Sequence, residues 1–163
     1  MKKTVNKLTL LAVLTAVAMI LSFIESQIPP IAPIPGVKLG LANIAVIFAL
    51  YKLGIWQAAC VSLIRVILSA LLFGNPLALI YSLAGAVFSL SLMIILKNGV
   101  KMHTVGVSIA GGVMHNAAQI LVASIVMETV VIIYYLPWLI ISGTLAGIAV
   151  GVLGHQLLLR IKL

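Results

Sequence analysis

The sequence contains no aspartate and only two acidic residues, Glu25 and Glu128, which lie far apart. Enzymes that act on allylic diphosphates usually need clustered carboxylates to hold magnesium, so two isolated glutamates argue against such a site. The chain also lacks a G-x-x-x-x-G-K-[ST] run, which excludes ATP binding through a P-loop, and it shows no Ser-His-acid set. We therefore expect no enzymatic activity from this chain.

Cysteine and histidine are also sparse. The single cysteine, Cys60, cannot form an internal disulfide and is expected to be a small core residue. The histidines are far apart and lack the spacing of metal ligands: His103, His115 and His155. His103 and His155 fall near the predicted inner surface, where titrating surface histidines are expected. No metal and no cofactor are predicted.

Charge is scarce: 7% of residues are charged and 64% are hydrophobic, with a mean hydropathy of +1.34. Such a composition indicates a membrane protein, and the net charge of +8 favours contact with anionic lipid over nucleic acid. Most basic residues precede the first apolar run or occupy alternate gaps: Lys2, Lys3, Lys7, Lys52, Lys97, Lys101, Arg160 and Lys162. The positive-inside rule then predicts a multi-pass protein of the cell membrane with both termini in the cytoplasm.

The apolar runs predict six transmembrane helices in a single all-α integral membrane domain, residues 1–163. The predicted crossings are about 8–28, 37–53, 54–73, 76–96, 104–127 and 137–159. The first run is longer than the apolar core of a signal peptide, which favours a retained membrane helix. Residues 127–137 allow two interpretations, because this apolar stretch can lengthen the fifth helix or lie along the outer surface.

An unusual connection follows the first helix and holds four of the six prolines, Pro29, Pro30, Pro33 and Pro35. Such a segment cannot be helical and favours a stiff, extended conformation. It is a candidate lid over the outer mouth, or a plain stiff linker. Glu25 and Lys38 flank it, and they can close the loop as a salt bridge, anchor it at the interface, or contribute to a site.

Arg65 lies well inside the third apolar run, where an ionised side chain normally faces a cavity or a partner. A ligand and an internal ion pair with Glu25 are both compatible with that position. Asn43 is the only carboxamide in the second run, and an amide in hydrocarbon needs a polar partner from protein or ligand.

The fifth run carries a polar face, because His115 and Gln119 are spaced i, i+4 and Asn116 and Gln119 are spaced i, i+3. Tyr81 and Ser82 of the fourth run can complete it. We favour a polar binding wall, with hydrogen bonding between packed helices as the alternative.

Small residues form two stripes. Gly143, Gly147 and Gly151 repeat every four residues in the sixth run, and Ala12 and Ala16 do so in the first. Such stripes let helices approach closely. Internal packing is the favoured use for the glycines, and contact with a partner protein is an option for the alanines.

Four blocks of residues resemble a known membrane family. They are Pro35-Gly36-Val37-Lys38-Leu39-Gly40-Leu41-Ala42-Asn43, Arg65 followed by Leu72-Phe73-Gly74-Asn75, Tyr81-Ser82-Leu83-Ala84-Gly85, and Gly112-x-x-His115-Asn116-x-x-Gln119. The family is heptaprenyl diphosphate synthase component I, also called the Gx transporter family. The size, the six crossings and the Ala12/Ala16 pair are also similar to the S components of energy-coupling factor (ECF) transporters.

The resemblance to S components implies a bundle that binds a small vitamin-like molecule, or an isoprenoid or quinone precursor, for uptake. It implies work with an ECF coupling protein and two ATPases, a lid in the first outer loop, and Ala12 and Ala16 against the coupling protein. The predicted substrate-binding residues are Lys38, Asn43, Arg65, Tyr81, His115, Asn116 and Gln119. The family name implies an alternative, a non-catalytic membrane component that recruits a prenyl synthase subunit. Stand-alone catalysis on a lipid diphosphate is a third, less favoured interpretation.

Overall fold

Apolar runs of helical length become six α-helices in the computed structural model, which describes residues 2–27, 40–74 and 76–161. The helices are α1 (Lys2–Gln27), α2 (Asn43–Lys52), α3 (Ile55–Phe73), α4 (Pro76–Asn98), α5 (Thr104–Val126) and α6 (Leu136–Arg160). The part of the chain that is described contains no strand. The predicted all-α membrane bundle of six helices is confirmed.

Five of these helices are long and apolar enough to cross a membrane, and α2 is not. With 10 residues, α2 extends for only about 15 Å. Its residues 44–50 are all buried, because α1, α3 and α6 pack around it. The second predicted crossing thus includes a short central helix that supplies much of the core. Predictions for five residues fall outside the described ranges: Pro29, Pro30, Pro33, Pro35 and Lys38.

Glycines allow α5 and α6 to pack closely along their length. A Cβ atom added to Gly112 would lie 2.6 Å from the carbonyl oxygen of Gly143, and one added to Gly147 would lie 2.6 Å from Cα of Ile109. A Cβ added to Gly151 would lie 2.8 Å from Cα of Val105. These distances leave no room for any side chain. The predicted use of the Gly143, Gly147 and Gly151 stripe in internal packing is confirmed.

The connection between α5 and α6 does not lengthen α5. The chain turns at Glu128, whose φ is 49°, and a short 3₁₀ helix then runs over Val130–Tyr135. The Ser124 hydroxyl donates to the carbonyl oxygen of Thr129 at 2.9 Å and stabilises the turn. The large side chain of Tyr134 is 82% exposed, as is common for aromatic residues at a membrane interface.

Candidate functional site

A cavity of about 240 Å³ opens between α1, α3, α4 and α5, and it is here called the larger cavity. Its polar wall consists of Ser22, Glu25, Ser26, Arg65, Ser69, Ser82, His115 and Gln119. Its apolar wall includes Val66, Ala70 and Phe73. This volume exceeds the about 150 Å³ of an apolar cavity that accepts benzene, so the larger cavity has room for a small molecule.

A second cavity of about 50 Å³, here called the smaller cavity, extends between α2, α5 and α6. Asn43, Asn116 and Ser108 contribute polar groups to it, whereas Ile47, Met93 and Val150 make part of it apolar. Glu25, Arg65 and His115 line both cavities. The two spaces therefore meet at these three side chains.

Arg65 is the cation at this junction. Its Nη2 donates to Oδ1 of Asn43 at 3.2 Å, so the carboxamide of α2 positions the guanidinium of α3. Its Nε is buried and has no hydrogen-bond partner within the described ranges. A guanidinium has five N–H donors in a planar fork, and a buried donor without a partner is unfavourable. The side chain thus lines the cavity while its Nε is covered by protein atoms.

Glu25 is the anion at the same junction. Its Oε1 accepts a hydrogen bond of 2.5 Å from the backbone N–H of Gly40, which ties the end of α1 to the turn before α2. Gly40 has a φ of 68°, a left-handed conformation that suits glycine. No direct ion pair joins Glu25 to Arg65 among the contacts of the described residues. Both charges thus face the cavity without neutralising each other by contact.

His115 and Gln119 stand on one face of α5, as their i, i+4 spacing predicts, and both line the larger cavity. They face Gly85 of α4. A Cβ atom added there would lie 2.8 Å from Cε1 of His115 and 3.0 Å from Cγ of Gln119. Gly85 therefore makes the room in which these two polar side chains lie.

Asn116 both hydrogen-bonds to a packed helix and lines a cavity, which are the two roles considered for the polar face of α5. Its Nδ2 donates to the carbonyl oxygen of Leu139 at 2.9 Å and approaches Oγ of Ser142 at 3.5 Å, so it bonds α5 to α6. It is 6% exposed and also lines the smaller cavity. Its carboxamide NH₂ group is thus committed to helix packing.

The other predicted site residues divide as follows. Tyr81 belongs to the lining of neither cavity, and its buried hydroxyl has no hydrogen-bond partner in the part of the chain described here. Its role in binding stays a prediction. Ala12 and Ala16 are exposed on α1. Their face is open to lipid or to a partner, and contact with a coupling protein also stays a prediction.

Three serines of the polar wall were missed by the sequence interpretation: Ser22 and Ser26 of α1 and Ser69 of α3. The sequence does contain a spacing pattern that relates these serines to their helix faces. Ser22 and Ser26 are spaced i, i+4, and Ser69 follows Arg65 by the same interval, so each pair shares a helix face. Following the face of Arg65 along its own helix would have identified Ser69.

Two of the histidines come together, although they are far apart in sequence. The rings of His103 and His155 lie 4.5 Å apart between centroids, because the start of α5 packs beside the end of α6. Both were expected near the inner surface, but a contact between them was not predicted. No group of three or more His, Cys, Asp or Glu side chains suitable for a metal ion occurs in residues 2–27, 40–74 and 76–161.

These observations define a multi-pass, all-α membrane protein with an Arg-containing cavity between helices of membrane-spanning length. A family model for heptaprenyl diphosphate synthase component I matches residues 14–157, which is most of the chain. The chain belongs to this family, as its sequence blocks predict. No curated protein and no solved structure matches it.

Proposed function

We propose that this chain is a substrate-binding membrane subunit, similar to the S component of an ECF transporter, which captures a small molecule for uptake. The observation that supports this most strongly is the position of Arg65. Its guanidinium lies in a helix of membrane-spanning length and adjoins a cavity of about 240 Å³. A charge at that depth is energetically costly, and such residues normally mark a ligand or ion pathway.

In this proposal Arg65 binds an anionic or strongly polar group of the guest. His115 and Gln119 hydrogen-bond to it from α5, and Asn43 holds Arg65 in place. Lys38 and the proline segment, both outside the described residues, act at the mouth of the site. The chain itself does not hydrolyse ATP or catalyse a reaction, so an ECF coupling protein and ATPases supply the energy for uptake.

The test begins with native mass spectrometry of the full chain purified from its own membranes, to identify a retained molecule. Affinity for that molecule is then measured for Arg65→Lys, Arg65→Gln and His115→Ala. Thr144→Ala is the control, because the Thr144 hydroxyl bonds within its own helix and the residue lines neither cavity.

We expect Arg65→Gln and His115→Ala each to weaken affinity about 10-fold or more, from the loss of one hydrogen bond with a charged or buried partner. Arg65→Lys keeps the charge without the fork and should lose less than Arg65→Gln. Unchanged affinity in both Arg65→Gln and His115→Ala would refute the site.

The family description favours a second candidate function, a membrane accessory component of a prenyl synthase. In this case the protein would co-purify with a soluble synthase subunit and retain no small molecule. The connections predicted to be cytoplasmic, residues 53–54 and 99–103, are short and offer little surface for such a partner. Product formation by the purified chain alone, with metal added, would instead indicate that it is itself an enzyme.

A further inference from the structure

The larger cavity combines opposite charges. Among the described residues of its wall, Arg65 is the only cation that is charged at every pH of interest, and Glu25 is the only carboxylate. The remaining polar wall is neutral hydroxyl and carboxamide groups, with His115 as the one titratable addition. Among the described residues of the wall, a guest therefore meets one fixed positive charge and one negative charge.

Within the described residues, the two charged groups are not hydrogen-bonded to each other, because each contacts a different neutral group. Arg65 donates to the side chain of Asn43, and Glu25 accepts from the backbone N–H of Gly40. A carboxylate has about four lone-pair sites, so one hydrogen bond leaves most of its accepting capacity unused. The guanidinium likewise has further N–H donors beyond the one that contacts Asn43.

Charge complementarity then distinguishes the classes of small molecule that the larger cavity can bind. A polyanion such as a diphosphate would gain from Arg65 but would be repelled by Glu25 in a space poorly screened by solvent. A guest with one anionic and one cationic group would compensate both residues at once, which a desolvated site requires.

The apolar walls of the two cavities determine what uncharged group the bound molecule can carry. Phe73 lines the larger cavity and packs against Phe23, with ring centroids 5.2 Å apart. Beyond the junction, the smaller cavity presents Ile47, Met93 and Val150. A compact apolar group fits either wall, and the about 240 Å³ of the larger cavity limits the whole guest to a small molecule.

We infer that the site binds a small zwitterion that carries an ammonium, a carboxylate and a compact apolar group, as a hydrophobic amino acid does. The carboxylate contacts Arg65 and the ammonium contacts Glu25. This inference rests on the proposed binding function and names the chemical class of the guest.

The test uses the full chain in lipid nanodiscs with matched probes. Phenylalanine and leucine are the zwitterions, 3-phenylpropionate and 4-methylpentanoate lack the ammonium, and phenethylamine lacks the carboxylate. Binding is measured by calorimetry and by thermal shift. We expect at least one zwitterion to bind about 10-fold or more tightly than its truncated counterparts, because each truncation leaves one buried charge unpaired.

Glu25→Gln is the decisive variant, because the glutamine carbonyl can still accept from Gly40 N–H while the charge is removed. It should reduce the preference for the zwitterion over the deaminated acid about 10-fold. Glu128→Gln is the matched control, since it removes the chain's only other acidic charge at an exposed turn outside both cavities. The control should leave the preference unchanged.

Two outcomes would overturn the inference alone: a deaminated acid that binds as tightly as its parent, or a native retained molecule that carries acidic groups only. A native retained zwitterion would support the inference even if neither amino acid binds. If no probe binds and no small molecule is retained from native membranes, the proposed binding function fails as well.

Discussion

Gly85→Ala tests the polar wall of the larger cavity by adding a single methyl group. The new Cβ would lie 2.8 Å from Cε1 and 2.9 Å from Nδ1 of His115, and 3.0 Å from Cγ of Gln119. A Cβ atom hardly ever approaches a non-bonded heavy atom within 3.0 Å, so the imidazole must move. It has only two side-chain torsions, and its movement displaces a group that lines both cavities.

The expected change in stability is small. Alanine in a helix interior is favoured over glycine by about 0.5–1 kcal/mol. A side chain pushed about 30° away from its rotamer costs about 0.5–1.5 kcal/mol, which offsets this gain. Binding should change more, because in the proposed site a displaced His115 would lose its hydrogen bond to the guest. A loss of about 1.5 kcal/mol corresponds to affinity lowered about 10-fold.

Gly106→Ala is the matched control, since it is also a helical glycine whose added Cβ meets a side chain. That Cβ would lie 2.7 Å from Sδ of Met102. A methionine side chain is flexible and can move aside, and this one lines neither cavity. Affinity for the molecule identified by native mass spectrometry is measured beside the thermal midpoint. Equal affinities for Gly85→Ala and Gly106→Ala, with both proteins folded, would refute the assignment of His115 to the binding wall.

Two further predictions concern how α5 is held by its neighbours. Gly147→Ala places a Cβ 2.6 Å from the backbone of α5, which cannot move aside as a side chain does. Overpacking costs about 1–3 kcal/mol, so we expect a lower thermal midpoint in nanodiscs despite the helix propensity of alanine, and an unchanged midpoint would contradict the close packing of α5 and α6. Ser89→Ala removes a buried hydroxyl that donates to a carbonyl of α5 at 2.8 Å. Ser89→Ala should lower the free energy of unfolding by about 0.6–1.5 kcal/mol. Ser91→Ala is the control and should have almost no effect, because the Ser91 hydroxyl is exposed and bonds within its own helix. Similar effects of the two substitutions would count against the hydrogen bond between α4 and α5.

The helices were largely predictable from the sequence because apolar runs and turn residues carry local information. The predicted third crossing, about 54–73, corresponds to α3 at Ile55–Phe73, and Pro76 begins α4 as predicted. The second crossing was less predictable. Hydropathy registers an apolar run but does not distinguish a short, centrally buried helix from a lipid-facing one, which only packing decides.

Features of the site that depend on a single helix were predictable from the sequence. The faces of His115 and Gln119, and the depth of Arg65, follow from periodicity and hydropathy. Which helices share a cavity depends on tertiary packing, so the serines of α1 and the space made by Gly85 were not identified. The contact between His103 and His155 was not predicted either, because it also depends on tertiary packing: it joins the start of α5 to the end of α6.

The alternatives of binding wall and helix contact for the polar residues of α5 are not exclusive, because these residues divide between two sides of the helix. Asn116 bonds to α6 through the Leu139 carbonyl, on the side where glycines bring the helices together. His115 and Gln119 instead face α4 at Gly85, and both line the larger cavity. A tightly packed contact on one side of α5 thus fixes the orientation of the polar side chains on the other. A rigid helix of this kind can present polar groups to a guest without ordering them anew on each binding event, and this preorganisation favours affinity.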